Sequence, residues 1–349
     1  MLCAPGAGPT GPRRREARVR VSVIGAGSWG TTVASLVARR NETMIWARDP
    51  AVAHEIDTAH THSRYLPGHP LPAALRATAD LARAARFAEV LVVGVPSDAF
   101  RATLADLRPH LHPWIPVVSL AKGIEQGTLL RMTEIVKEVL PGHPAAALTG
   151  PNLSKEIMSG LAAASVIATA DLSVAAALQR TFQRGLFRVY TNHDVVGCEV
   201  GGAMKNVVAI ATGIAQGLSV GDNTRSAVIS RGLAEMTALA VALGAHPQTL
   251  AGLAGLGDLV ATCMSPQSRN RHVGEQLGAG RPMSEILAGM GQVAEGVKTV
   301  HSAVALADRH GLEMPITRAI HAVVTGRISA PDAYRGLMRA PAGHEDDPG

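Results

Sequence analysis

Cysteine is scarce in this chain of 349 residues: Cys3, Cys198 and Cys263 are far apart and odd in number. That excludes a disulfide framework and a cysteine-based metal site, and points to a reducing, cytoplasmic compartment. Long apolar runs are missing as well. No uninterrupted stretch reaches the ~18 residues of a membrane-spanning helix, so no integral membrane contact is expected. Apolar residues still make up 47% of the chain against 17% charged, the balance of a globular protein with a large buried fraction. An extended basic face is lacking too. Of the formal net charge of +5, a local +4 sits in residues 1–20, where Arg13, Arg14, Arg15, Arg18 and Arg20 outnumber Glu16. The remainder is close to neutral, which gives nucleic acid nothing to bind. The apolar residues after these arginines already form the first strand, so no export signal is expected. Residues 1–17 read as a disordered basic extension and Pro341–Gly349 as a disordered tail. The histidines fall mostly in loops (His60, His62, His110, His112) without a carboxylate or cysteine at ligand spacing, so no metal is expected. Lysine is rare: five of 33 basic residues, namely Lys122, Lys137, Lys155, Lys205 and Lys298. Arginine supplies the ordinary solvated charge, so a lysine in an apolar setting is a candidate for giving up a proton near neutral pH.

What is present begins with Val21-Ser22-Val23-Ile24-Gly25-Ala26-Gly27-Ser28-Trp29-Gly30, an apolar strand running into G-x-G-x-x-G. Gly25 permits the tight turn, Gly27 lets a pyrophosphate approach, and Gly30 lets the following helix pack on the strand with its N–H groups facing the phosphates. A second apolar run, Met44-Ile45-Trp46-Ala47, closes a βαβ unit of about 30 residues. Such a unit binds a dinucleotide. The second strand ends in Arg48-Asp49, with Arg48 23 residues after Gly25. An acidic residue there favours NAD and an arginine can hold the 2′-phosphate of NADP, so NADP(H) is expected, with NAD(H) possible.

The first half alternates short apolar runs with helical patterns. Strands are expected at 19–25, 43–47, 89–95, 115–120, 145–149, 163–169 and 187–191, with helices at 29–40, 97–108, 127–139 and 172–183. After residue 193 only helical periodicity remains, over 196–218, 224–243, 266–277, 296–312, 314–325 and 331–338. The fold class is therefore α/β: a Rossmann-type, doubly wound, mainly parallel sheet (18–193) followed by an all-helical C-terminal domain (194–340). In such a fold ligands lie beyond the carboxyl ends of the strands, against the second domain.

Several turns there could carry chemistry. Ser119-Leu120-Ala121-Lys122-Gly123 follows one strand, and Thr149-Gly150-Pro151-Asn152-Leu153-Ser154 another. Lys122 could reach a phosphate or be plain surface charge; Asn152 could line an oxyanion site or cap a helix. The most unusual segment is Glu199-Val200-Gly201-Gly202-Ala203-Met204-Lys205-Asn206-Val207-Val208, where Lys205 interrupts a helix of small apolar residues. Desolvation lowers a lysine pKa toward the range of a general acid. Gly255-Leu256-Gly257-Asp258-Leu259 sets one carboxylate in similar surroundings, making Asp258 the natural partner, in a structural or a catalytic pair. Ser268-Arg269-Asn270-Arg271 at a helix start is either an anion clamp or a capped surface helix.

Taken together, GAGSWGT, VPS, SLAKGIE, TGPN, GAMKNVVAIA, GLGDLVATC, SRNR and QVAEGVKT, in that order, resemble the NAD(P)-dependent glycerol-3-phosphate dehydrogenases of the bacterial biosynthetic type, from about Arg18 to Arg339. The resemblance implies reduction of dihydroxyacetone phosphate to sn-glycerol 3-phosphate for phospholipid synthesis. It implies Lys205 as proton donor, with Asp258, Asn206 and Thr262 as its network. Lys122, Gly150, Asn152, Ser268, Arg269 and Asn270 would meet the substrate. Ser28, Trp29, Arg48, Lys122, Ser154, Arg269, Val293 and Glu295 would meet the cofactor, beside Gly25, Gly27 and Gly30. Asn152 and Ser154 depart from the family's usual residues at those places. A dehydrogenase for a hydroxy acid or sugar acid would share the Rossmann half, and a non-catalytic NADP sensor would have no use for Lys205 and Asp258. The large apolar helices of the second half suggest a homodimer.

Overall fold

The computed structural model describes residues 18–290 and 294–339. The extension expected at 1–17, the tail at 341–349 and Val293 lie outside the described residues. Eight strands, β1 (Arg20–Ile24), β2 (Glu42–Trp46), β3 (Leu75–Thr78), β4 (Val90–Val93), β5 (Val117–Ser119), β6 (Ala145–Thr149), β7 (Ala163–Ala168) and β8 (Phe187–Asn192), form one sheet in the order β3-β2-β1-β4-β5-β6-β7-β8. All neighbours are parallel except β6 and β7. The order reverses between β1 and β4, the switch point where doubly wound sheets bind ligands.

The sheet is covered on both faces by α1 (Ser28–Ala38), α2 (Pro50–His54), α3 (Leu81–Phe87), α4 (Ser97–Leu107), α5 (Met132–Val139), α6 (Ser154–Met158) and α7 (Leu172–Phe182). Alternate residues explain this. Val21, Val23, Val90 and Val92 pack with Val33 and Val37 of α1 and Leu178 of α7. Ile24, Leu91 and Val93 pack with Phe100 and Leu104 of α4 and Ile135 of α5. Strands buried on two faces read as unbroken apolar runs, which is why their sequence signal was strong.

Two expectations need correction. β3 and α3 were not expected: Leu-Arg-Ala-Thr lies at the sheet edge with Arg76 exposed, so it lacks an apolar run. The helix expected at 127–139 starts at Met132, because Gly127 and Leu129 have positive φ (82° and 63°) and an antiparallel bridge joins Ile124 to Arg131. His62 lies in a loop, as expected, but not at the surface. It is fully buried, with Nε2 2.8 Å from the Ala26 carbonyl oxygen under the glycine turn.

From Val195 the chain is helical: α8 (Val195–Gly217), α9 (Asp222–Ala242), α10 (Pro247–Leu250), α11 (Asp258–Met264), α12 (Arg269–Gly278), α13 (Met283–Gly289), α14 (Glu295–His310), α15 (Pro315–Val324) and α16 (Ala330–Arg339). α8 is long and apolar enough to cross a membrane, yet 89% of its most apolar stretch is buried within the molecule, so it reads as a core helix. Val200, Met204 and Val208 face one cluster, and Val207, Ile210 and Ile214 another. Its glycines set the approach of α12: a Cβ on Gly274 would fall 2.8 Å from the Gly213 Cα, and one on Gly278 2.9 Å from the Gly217 Cα. This close crossing lays the start of α12 beside Lys205 and Asn206.

Candidate active site

The Gly25–Gly30 turn joins β1 to α1 at the switch point. Gly25 has φ of +115°, and a Cβ there would lie 2.8 Å from the Gly94 carbonyl oxygen of the neighbouring strand end. A Cβ on Gly30 would collide with the Gly25 carbonyl. One on Gly27 would meet no atom within 4 Å. Two glycines are thus required by the fold, while the third opens onto free space. Gly27 is also the N-cap of α1, so no side chain caps its first N–H groups. Trp29, in the next turn, has a buried indole N–H without a partner. A dinucleotide pyrophosphate fits this cradle. Arg48 stands exposed at the end of β2, whereas Asp49 caps α2 by accepting from the Ala51 N–H at 2.9 Å.

Where the turn after β5 meets the helical half, two of the five lysines share one carboxylate. Lys205, 6% exposed on α8, donates from Nζ to Asp258 Oδ1 and to Thr262 Oγ1 at 2.7 Å. Lys122, from the β5 turn, donates to Asp258 Oδ2 at 2.6 Å and to the Gly150 carbonyl at 2.8 Å. Asp258 is 1% exposed, so its pair with Lys205 is almost fully desolvated, while Lys122 is half-buried. Burial pulls Lys205 down to about 7; Lys122 adds to the drop and Asp258 opposes it. Gly150 has φ of +122° and would bring a Cβ within 3.2 Å of the Ser165 Cα, which keeps its carbonyl turned toward Lys122.

A chain of amides ties the surrounding elements. The Gly296 N–H of α14 donates to Asn270 Oδ1 (2.9 Å), Asn270 Nδ2 to Asn206 Oδ1 (2.9 Å), and Asn206 Nδ2 to the Lys122 carbonyl (3.2 Å). Ser268 caps α12, accepting from the Arg271 N–H at 3.2 Å. Arg271 is held by Glu275, at 2.8 Å, and by the Met264 carbonyl. Arg269 makes no hydrogen bond or salt bridge among the described residues. It is exposed by surface area, yet the protein packed around its guanidinium lowers its pKa, against the pull of Glu295 and Tyr65. The helix start therefore combines a structural cap with one unused guanidinium, not a fully capped surface helix.

Among the expected cofactor residues, Gly25, Gly27, Ser28, Trp29 and Gly30 share the β1 turn, and Glu295 accepts from Ser97 Oγ at 2.6 Å at the end of β4. Asn152 does not cap α6; Leu153 holds that position. Asn152 Oδ1 accepts from Ser165 Oγ at 2.5 Å, and its buried Nδ2 has no partner. Ser154 starts α6, half-buried. No group of three or more metal-ligating side chains occurs among the described residues. Sequence reasoning gave Glu199, Arg131 and Ser97 no role, although a carboxylate in the same apolar helix as Lys205 was a visible signal.

A doubly wound sheet with an uncapped helix start at its switch point, joined to a helical half that carries a buried amine of near-neutral pKa, defines a two-domain dinucleotide-dependent oxidoreductase. The sequence patterns described as the N-terminus and the C-terminus of NAD-dependent glycerol-3-phosphate dehydrogenase match residues 20–175 and 194–335. The chain belongs to the NAD-dependent glycerol-3-phosphate dehydrogenase family. It is 54% identical over 332 residues to glycerol-3-phosphate dehydrogenase [NAD(P)+] 2 of Sphingopyxis alaskensis, covering 95% of this chain and all of that one. It is equally 54% identical, over 327 residues, to the [NAD(P)+] enzyme of Mycobacterium avium, covering 93% and 96%. A crystal structure of glycerol-3-phosphate dehydrogenase from Coxiella burnetii superposes with a TM-score of 0.89 at 35% identity, covering 93% of this chain and 99% of that one.

Proposed function

We propose that this chain reduces dihydroxyacetone phosphate to sn-glycerol 3-phosphate, reversibly, with a nicotinamide cofactor, supplying glycerophospholipid synthesis. The observation that carries this is the buried Lys205–Asp258–Lys122 constellation, which joins the strand-end turn after β5 to the helical half in a member of this family. A bound reduced nicotinamide supplies the hydride to the ketone carbon. Lys205 holds the proton at Nζ for the carbonyl oxygen and stabilises the charge growing there. Asp258 and Thr262 orient that ammonium, and Lys122 adds positive charge. Arg269 takes the substrate phosphate, with Ser268 and Asn270 fixing the start of α12. Residues 18–193 carry the cofactor, with Ser28, Trp29, Arg48 and Ser154 along it and Glu295 of α14 beside Ser97 at the end of β4; residues 194–340 supply the acid. A hydroxy-acid substrate is set aside by family membership. Purified chain mixed with dihydroxyacetone phosphate should oxidise NADPH or NADH, followed at 340 nm; no loss of absorbance with either sinks the reading.

NADPH is the favoured cofactor. Support comes from Arg48, exposed and without a hydrogen bond beside the cradle, while Oδ1 of Asp49 is already engaged at α2. A charge-assisted contact to the 2′-phosphate contributes about 1.5–3 kcal/mol, roughly tenfold or more in affinity. Arg48→Ala should raise KM for NADPH by at least tenfold and leave that for NADH within twofold; an unchanged preference rules the contact out. A cytoplasmic location agrees with the two buried, unpaired cysteines, Cys198 and Cys263. A homodimer is supported by the exposed apolar side chains of Val260 and Met264 on α11, and sedimentation velocity tests it.

A further inference from the structure

The buried carboxylate of Glu199 has no place in the chemistry just described, yet it joins the two segments that deliver the two lysines. Glu199 lies on α8 and is 7% exposed. Its oxygens accept from the Thr133 N–H at 2.8 Å, from Thr133 Oγ1 at 2.5 Å and from Arg131 Nη1 at 2.6 Å. All three donors belong to the start of α5, in the nucleotide-binding half. Arg131 is fixed in turn by Glu134, through Nη2 at 2.7 Å and through its own N–H at 2.8 Å.

Two rigid connections lead from this point. Along α8, Lys205 follows six residues later, about 9 Å of helix. Along the other segment, Arg131 is bridged to Ile124, and the Glu125 N–H donates to the Leu130 carbonyl at 2.9 Å. The bridge closes the loop 124–131, which Lys122 and Gly123 immediately precede. Ile124 itself is buried against Val200, Ala203 and Met204 of α8. The segments carrying Lys205 and Lys122 are thus tied together at Glu199, in addition to the Asn206 hydrogen bond to the Lys122 carbonyl. An ion pair so desolvated and so fully hydrogen-bonded has a narrow set of geometries.

We propose that Glu199, through Arg131 and Thr133, is a positioning residue that sets the spacing of Lys205 and Lys122 about Asp258. The inference rests on the reduction assigned above. Without the tie the Ile124 packing and the Asn206–Lys122 hydrogen bond remain, but the start of α5 is released from α8 and the 124–131 loop loses a fixed end; a displacement near 1 Å at a reacting group costs on the order of a hundredfold in rate.

Glu199→Gln keeps the shape and removes the charge; Thr133→Val is milder, removing one donor. Each is compared with the parent by counting NADPH-binding sites through fluorescence titration and measuring kcat per site with dihydroxyacetone phosphate. Expected for Glu199→Gln is a drop in kcat per site of at least tenfold, with the Kd of NADPH within twofold; for Thr133→Val, a three- to tenfold drop. A residue that merely holds the fold together would reduce the number of sites and the melting temperature while leaving kcat per site unchanged. That result overturns the proposal, and Thr133→Val decides if Glu199→Gln does not fold. A parent that oxidises no cofactor with dihydroxyacetone phosphate sinks the assigned reaction and this inference with it; an active parent matched per site by its variants sinks the inference alone.

Discussion

Replacing Lys205 with methionine is expected to lower kcat for dihydroxyacetone phosphate reduction by about a thousandfold or more while NADPH binding survives. Methionine fills a similar volume among the small apolar residues of α8, so little packing is lost. What disappears is the ammonium proposed to hand over a proton at the carbonyl oxygen, leaving Lys122 on the other oxygen of Asp258. Positioned proton transfer contributes ~10²–10⁴-fold, and the charge it places beside a developing oxyanion about as much as a lost oxyanion donor, ~10²–10³-fold. The two act together, so they do not simply multiply. The pH dependence carries a sign that separates this role from others. Burial has brought the amine down to about 7. Reduction needs it protonated, so kcat should fall roughly tenfold per pH unit above that value. Oxidation of sn-glycerol 3-phosphate needs it neutral and should rise over the same interval. Stopped-flow absorbance at 340 nm between pH 5.5 and 9 in both directions measures this. Parallel profiles for the two directions, or kcat of the variant within tenfold of the parent, would remove Lys205 from the chemistry.

The sequence made this residue visible for a physical reason: a charge in a helix of glycine, alanine, valine and isoleucine has to be buried, and a buried charge needs a partner. Asp258 stood out on the same ground, and the two do meet. Lys122 was less legible, since a lysine beside a glycine in a loop is equally well surface charge until its reach to Asp258 is known. The doubly buried strands β1, β2 and β4 announced themselves as apolar runs, whereas β3 at the edge did not, having one neighbour and an exposed arginine. The antiparallel entry of β7 was invisible, because alternation of side chains is the same in either direction. Glu199 obeyed the rule that exposed Lys205, but its partners Arg131 and Thr133 lie 68 and 66 residues away, and no local pattern records such a pairing. Local polarity is written in sequence; convergence of distant turns is not.

A large effect is also expected at Arg269. Of the two arginines in Ser268-Arg269-Asn270-Arg271, Arg271 is bound to Glu275 and to the Met264 carbonyl, and Ser268 caps the helix. That leaves one guanidinium at the start of α12 with its donors unused. The Gly213–Gly274 and Gly217–Gly278 crossings hold α12 against α8, which fixes Arg269 relative to Lys205. Under the proposed reaction, a phosphate bound there would be held remote from the reacting carbon, and that anchoring would keep the ketone oxygen within reach of the amine. Truncating one partner of a desolvated, charge-assisted contact costs about 2–5 kcal/mol, each 1.4 kcal/mol being tenfold. Arg269→Ala should therefore raise KM for dihydroxyacetone phosphate by about a hundredfold, with a smaller effect on KM for NADPH. Arg269→Lys should recover only part of the loss, since an ammonium cannot grip a phosphate through two parallel N–H groups. Unphosphorylated dihydroxyacetone provides the control. The parent should prefer the phosphorylated ketone strongly, and the alanine variant should lose most of that preference by weakening on the phosphate alone. Equal losses for both ketones would mean that Arg269 grips the cofactor and that the substrate phosphate lies elsewhere.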